Sequence, residues 1–172
     1  MADVPDLPRP STLWKQLAPD RRLRAADAFW KDENASMEQT EAVLAIANRI
    51  KFRVASVFKM PREKKARQLV ALNSVSELVA ARLLVAYHLE QQRPMMASFL
   101  DALGIAHADG LIADEELSAP PRESLENAAR TLTAAYPAED VALYLSTLVW
   151  QDPETWGVLA ELPETRLPAQ AS

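Results

Sequence analysis

Apolar residues recur at helical spacing along most of the chain, and prolines separate the periodic stretches. Apolar positions three and four residues apart lie on one face of an α-helix, whereas a half-buried strand alternates apolar and polar residues. We find no pair of segments with the alternation of a strand pair. The pattern therefore predicts an all-α protein, a compact multi-helix bundle of about seven to nine helices.

Residues 74–112 are predicted to form the centre of this bundle. Residues 75–89 are the most apolar helical stretch of the chain, and Arg93-Pro94 predicts a break after it, since proline does not fit inside a helix. A second helix follows up to Gly104, which we expect to cap it, because glycine adopts the left-handed conformation at little cost. The two helices form the predicted central hairpin.

Capping signals and prolines place the remaining helices. Ser36-x-x-Gln39 and Ser74-x-x-Glu77 have the spacing of a capping box, in which two side chains bond to free backbone N–H groups. The first predicts a helix that runs to about Met60, and the second favours a break near residue 73. The other predicted helices cover residues 12–17, 19–32, 61–72, 121–136 and 138–152, and a short turn over 153–162 is expected to dock Trp156.

Length and composition are typical of one folded domain. The chain has 172 residues, of which 49% are hydrophobic and 25% charged, enough apolar material for a continuous core. Only three glycines are present, far below average usage, which favours helices further. We therefore expect a single helical domain over residues 1–172, with flexible ends at 1–10 and 164–172.

The sequence also excludes some classes of site. There is no cysteine, so disulfides and thiolate zinc sites cannot form, and only two histidines are present. The start, MADVPDLPRP, lacks the basic region and apolar core of a secretory signal, and the longest apolar run is too short to span a bilayer. We expect a cytoplasmic protein that binds no cofactor and contacts no membrane.

Charge is distributed unevenly along the chain. Residues 1–100 contain 16 basic and 11 acidic residues, a balance of +5, whereas residues 101–172 contain 3 and 13, a balance of −10. Oppositely charged halves can attract each other within one chain or between two copies, and a basic half can face a polyanion.

Positive charge is densest between residues 49 and 67, where Glu63 is the single acid. Such a stretch can neutralise phosphates, but it has little aromatic interleaving for base stacking, because Phe52 and Phe58 are expected in the core. We expect a solvated face, or one complementary to the acidic half; binding of nucleic acid or another polyanion is the alternative. Eight basic residues occur here, Lys51 among them, and the candidate binding residues are Arg49, Arg53, Lys59, Arg62, Lys64, Lys65 and Arg67.

Arg82 lies within the apolar arc of the first central helix. Because burying a lone guanidinium is costly, we expect Arg82 to bind a carboxylate or carbonyl groups, or to extend to an exposed edge. Acids of the second half, such as Asp101 or Asp140, are the candidate partners. A structural salt bridge is the favoured interpretation, and an anion-binding or partner-binding arginine at the mouth of a pocket is the alternative. His88, by contrast, is predicted to lie on the exposed polar side of the same helix.

The loop after the second central helix resembles part of an EF-hand calcium loop. If Ile105 is the first position, then Asp109, Gly110 and Glu116 occupy the fifth, sixth and twelfth positions. However, Ile105 offers no side-chain oxygen, and His107 at the third position is a poor ligand for a hard cation. We expect turn and capping chemistry here rather than a metal site, with Asp109 and Glu116 as the weak metal candidates.

No nucleophile, acid–base pair or glycine-rich phosphate loop can be assembled from the sequence. We therefore expect a non-enzymatic helical domain for protein–protein interaction or scaffolding, able to self-associate through its oppositely charged halves. The alternative is a helical regulatory domain that binds a polyanion or small anion through the basic stretch and Arg82. An enzyme of unknown class is the third hypothesis.

Overall fold

The computed structural model describes residues 7–113 and 117–166. Within these ranges the chain forms ten α-helices and one two-stranded sheet, which confirms the predicted all-α class. Contacts divide the described residues into two compact units, one of residues 9–91 and the other of residues 7–8 with 92–113 and 117–166. The predicted central segment is thus divided between two units, and a single domain over the whole chain stays a prediction.

The first unit, residues 9–91, contains six helices. Helix α2 packs against α5 and α6, and α1 and α3 also contact α6. Its core is built from large side chains that are fully buried, among them Phe29, Ile46, Leu69 and Leu83. The helices are α1 (Pro10–Gln16), α2 (Pro19–Lys31), α3 (Ser36–Ile50), α4 (Val54–Phe58), α5 (Arg62–Ala71) and α6 (Glu77–Gln91).

Neither predicted capping box forms as expected. At α6 the break over residues 72–76 is confirmed, but Ser76 caps the helix, its Oγ accepting from the Val79 N–H at 3.2 Å. No side chain caps α3. Instead, the Gln39 amide donates to the carbonyls of Phe29 and Asp32, at 2.8 and 2.9 Å, and so adds side-chain hydrogen bonds at the end of α2.

The helix predicted to reach Met60 ends ten residues earlier. Helix α3 stops at Ile50, Lys51 takes a left-handed conformation with φ of 60°, and the Phe52 N–H donates to the Ala47 carbonyl at 3.1 Å. This 6→1 bond is the Schellman ending that glycine usually provides, and no glycine marks it in the sequence. The extra break, together with the short final helix, raises the count to ten.

The second unit is described over residues 7–8, 92–113 and 117–166. Helix α7 packs against α8, and α9 contacts α10 and both 3₁₀ turns. In its core Phe99 meets Tyr144 edge to face at 5.6 Å and lies 5.9 Å from Trp156, whose predicted docking is confirmed by its burial. The elements are α7 (Arg93–Leu103), β1 (His107–Ala108), β2 (Leu111–Ile112), α8 (Arg122–Ala135), α9 (Ala138–Gln151), α10 (Pro153–Trp156) and 3₁₀ turns Gly157–Glu161 and Pro163–Thr165.

The ends are more regular than expected where the structure describes them. Helix α1 already begins at Pro10, which is buried. The last two residues of the Pro163–Thr165 turn lie in the expected flexible tail, yet Thr165 is buried and its Oγ1 donates to the Leu159 carbonyl at 2.6 Å. The outer parts of both predicted flexible segments, residues 1–6 and 167–172, lie outside the described residues.

The loop after α7 contains a strand pair, so the expectation that no strands would form is wrong here. Strands β1 and β2 pair in antiparallel register around Asp109 and Gly110, whose φ angles are 52° and 89°. Two successive residues with positive φ make the type I′ hairpin turn, for which Asp-Gly is a preferred sequence. The predicted cap is confirmed: Gly104 has φ of 70°, and the Ile105 N–H donates to the Leu100 carbonyl at 2.9 Å.

Candidate interaction surface

The structure divides the eight basic residues of the 49–67 stretch into two groups. Three of them have local partners. Arg62 Nε lies 2.8 Å from Asp27 Oδ1, and Arg67 pairs with Glu63 one turn away. Lys65 Nζ lies 4.8 Å from the centre of the Trp30 ring and donates to the Phe58 carbonyl at 3.4 Å, which anchors the end of α4.

The other five cations have no ion-pair partner among the residues that the structure describes. They are all exposed, and Arg49 makes only a long 3.4 Å hydrogen bond to Gln68. No acidic residue occurs anywhere from position 42 to position 62. Their charge is therefore available to an external partner. These residues are Arg49, Lys51, Arg53, Lys59 and Lys64.

Three large apolar side chains are exposed among these cations. Phe52, Val54 and Phe58 are 50%, 37% and 45% exposed, so the expectation that both phenylalanines belong to the core is wrong. The reason is the early end of α3: in the five-residue α4, Val57 is the buried residue and holds the segment to the fold. The set of Phe52, Val54, Phe58, Arg49, Lys51, Arg53 and Lys59 is called the α4 surface below.

Arg82 binds a different carboxylate from those expected. Its Nη2 lies 2.5 Å and its Nε 3.0 Å from Oδ2 of Asp32, the residue at the C-terminal cap of α2, so the expectation of Asp101 or Asp140 is wrong. The two side chains are 26% and 15% exposed, and the other carboxylate oxygen of Asp32 accepts from the Asn34 N–H at 2.9 Å. This engagement supports the structural interpretation of Arg82.

His88 is buried, which corrects the expectation of a surface residue. Its Nδ1–H donates to the Leu84 carbonyl at 2.7 Å, one turn earlier in α6. Burial disfavours the charged imidazolium and lowers the pKa of His88 to about 4, although the bond to the Leu84 carbonyl opposes the shift. The ring is therefore neutral at physiological pH and belongs to the core.

The described part of the EF-hand-like loop, up to residue 113, forms a β-turn. Asp109 lies in the β-turn, its carbonyl accepts from Arg93 Nη1 at 3.0 Å, and its carboxylate lies 3.8 Å from the same atom. Glu116, the other metal candidate, lies outside the described residues. Over residues 7–113 and 117–166, no three His, Asp or Glu side chains are grouped so that they could hold a metal ion.

Both ring nitrogens of His107, the other histidine of the chain, are engaged. Nδ1 accepts from the Gly110 N–H at 3.0 Å, which places a ring proton on Nε2, 2.7 Å from Asp101 Oδ1. A general base needs a free lone pair directed at its substrate, and this histidine instead ties α7 to the hairpin.

Comparisons with protein-family models, with curated proteins and with solved structures found no match. In the part of the chain that the structure describes, no helix is long and apolar enough to cross a membrane. The α4 surface is the candidate that combines exposed aromatic residues with uncompensated charge, and its function has to be argued from its own side chains.

Proposed function

We propose that this chain is a non-enzymatic helical domain for protein–protein interaction and that the α4 surface makes the contact. The observation that carries the proposal is the exposure of Phe52, Val54 and Phe58 within seven consecutive positions. Single exposed apolar residues are ordinary, whereas contiguous ones mark interaction sites, and aromatic residues are enriched at the centre of protein interfaces.

The surrounding cations support the same proposal. Arg49, Lys51, Arg53 and Lys59 carry four positive charges without an ion-pair partner among the described residues. An arrangement of apolar centre and charged rim is typical of a specific interface, in which the charges accelerate encounter and the centre supplies affinity. A cytoplasmic location remains part of this proposal.

Photo-crosslinking from the surface tests the proposal. A benzophenone amino acid is placed at position 58 and, as a control, at position 37. Met37 is even more exposed, at 75%, but it lies on α3 beside Glu38 and one turn before Glu41. We expect a protein adduct from position 58 alone in the native host cells. The crosslinked partner protein is then purified, and its complex with this chain is reconstituted from pure components. Absence of protein adducts, or identical adducts from both positions, would contradict the proposal.

Binding of a single-stranded nucleic acid is the second candidate. The exposure of Phe52 and Phe58 favours it, since exposed rings between cations can stack on bases, which the sequence had not predicted. If the chain binds single-stranded nucleic acid, the same photo-crosslinking experiment should give adducts from position 58 that disappear on nuclease treatment. Its affinity should also fall steeply with salt concentration, as expected for phosphate contacts.

A further inference from the structure

The shape of the apolar part of the α4 surface defines what can cover it. Val54 and Phe58 are one helical turn apart on α4, so their side chains are neighbours on one face. Phe52, two residues before the helix, is exposed as well, while Val57 of α4 is fully buried. The three exposed apolar side chains, Phe52, Val54 and Phe58, are called the apolar ridge below. The three side chains fall within seven positions of the chain, so they offer a partner a contact about two helical turns long.

Positive charge lies at both ends of this ridge. Lys51 and Arg53 flank Phe52, and Lys59 follows Phe58 directly. Lys51 occupies a left-handed position where glycine is usual. The chain therefore has a lysine cation at a position whose backbone conformation favours glycine. A partner that covers the ridge must bring carboxylates to both ends, because desolvated cations without counter-charges would oppose binding.

A second copy of this chain is a poor occupant. In a two-fold symmetric contact the α4 surface would face itself, and its four cations would repel each other. A contact with the acidic residues 92–172 of another copy would join two different surfaces, which forms open chains unless the rotation closes a ring. Charge complementarity is satisfied most simply by a different protein.

We infer that the α4 surface binds an acidic amphipathic segment of another protein, with apolar side chains one helical turn apart and Asp or Glu beside them. This inference rests on the proposed function and adds the chemistry of the partner. Such segments dock an apolar face against a hydrophobic site and are selected by the charges around it.

Fluorescence anisotropy with three labelled synthetic peptides tests the inference. The first repeats Leu and Phe at helical spacing with Glu and Asp between them. The second replaces its apolar residues with Ser, and the third replaces its acids with Lys. We expect the full-length chain to bind the first at least about tenfold more tightly than either of the others, as the loss of ridge or charge contacts implies.

Two variants locate the binding. Phe52→Ser/Phe58→Ser should weaken binding of the acidic peptide about tenfold or more, while Leu44→Ser, a control at an apolar site 52% exposed on α3, should leave it unchanged. All three altered side chains are about half exposed, so both variants should fold, as circular dichroism would verify. Equal loss in both variants, or no loss in either, would overturn the inference.

The outcomes also separate this inference from the proposed function. If position 58 gives a specific protein adduct but the acidic peptide does not bind, the partner chemistry is wrong and the interaction function stands. If neither is observed, both fail. Tighter binding of a single-stranded oligothymidylate than of the acidic peptide would overturn the inference in favour of the nucleic-acid function.

Discussion

The Phe52 N–H donates to the carbonyl of Ala47 at 3.1 Å, and this bond closes α3 around a left-handed lysine. The same bond turns the chain out of the helix, so that Phe52 becomes exposed instead of following the buried stripe of α3. The exposed aromatic residue and the strained lysine are therefore two consequences of one helix ending.

The strain at Lys51 gives the first prediction. Replacing it with glycine removes the Cβ that disfavours φ of 60°, so Lys51→Gly should raise the free energy of unfolding by about 0.5–1 kcal/mol in urea titrations. The same change removes a cation of the α4 surface and should weaken binding of the acidic peptide. Lys59→Gly is the control: Lys59 is right-handed, so that variant should gain no stability.

A second prediction concerns the pair of Arg82 and Asp32. Arg82→Met leaves a carboxylate that is only 15% exposed without its cation, so we expect a loss of about 1–3 kcal/mol in unfolding free energy. Asp32→Asn should cost a similar amount. In the double variant the losses should not add, with a coupling energy of about 1 kcal/mol or more in a double-mutant cycle.

The exposed pair of Lys31 and Glu90, whose side chains are 41% and 47% exposed, supplies the control for this cycle. Glu90→Gln should change the free energy of unfolding by less than about 0.5 kcal/mol. If Arg82→Met left stability intact but abolished binding of the acidic peptide, the structural interpretation of Arg82 would be wrong and a binding role would replace it.

A third prediction separates two glycines with positive φ. A Cβ at Gly110 would lie 2.9 Å from Met96 Cβ and 3.3 Å from the Arg93 carbonyl oxygen, whereas a Cβ at Gly104 meets nothing within 4 Å. Gly104→Ala should therefore cost about 1 kcal/mol, for the backbone conformation alone. Gly110→Ala adds a steric clash with α7 and should cost about 2–3 kcal/mol in thermal or urea unfolding. Equal losses would show that the hairpin can move away from α7.

Much of the helical framework is predictable because its signals are local. The breaks at Arg93-Pro94 and at Pro137 follow from proline, and α8 and α9 have their predicted bounds to within two residues. The end of α3 has no such signal, because a lysine occupies the position where glycine would have marked it. The Asp109-Gly110 hairpin did have a local signal, but strands of two residues are too short to show alternation.

The site depends on relationships that the sequence does not display. Asp32 lies 50 positions from Arg82, and only the packing of α2 against α6 brings them together. Helix α6 is buried on most sides, so its periodicity gives no polar face from which to place His88. The exposure of Phe52 and Phe58 likewise follows from where α3 ends. Apolar residues can be recognised from sequence. Whether they face the core cannot be predicted when the end of the helix is placed wrongly.

The buried His88 predicts how stability depends on pH. Its pKa is about 4 in the fold and about 6.5 when unfolded, so between these values the unfolded chain binds more protons. The contribution of neutral His88 to the free energy of unfolding is therefore complete above about pH 6.5. It falls as the pH is lowered towards 4, by up to about 3 kcal/mol.

The variant His88→Leu places an apolar side chain at the same core position, and leucine cannot titrate. Urea titrations of both proteins from pH 7 to pH 4 should show a steeper loss in the wild type, because carboxylates contribute equally to both. Parallel curves would mean that His88 becomes protonated within the fold without cost, and that its ring is reached by solvent.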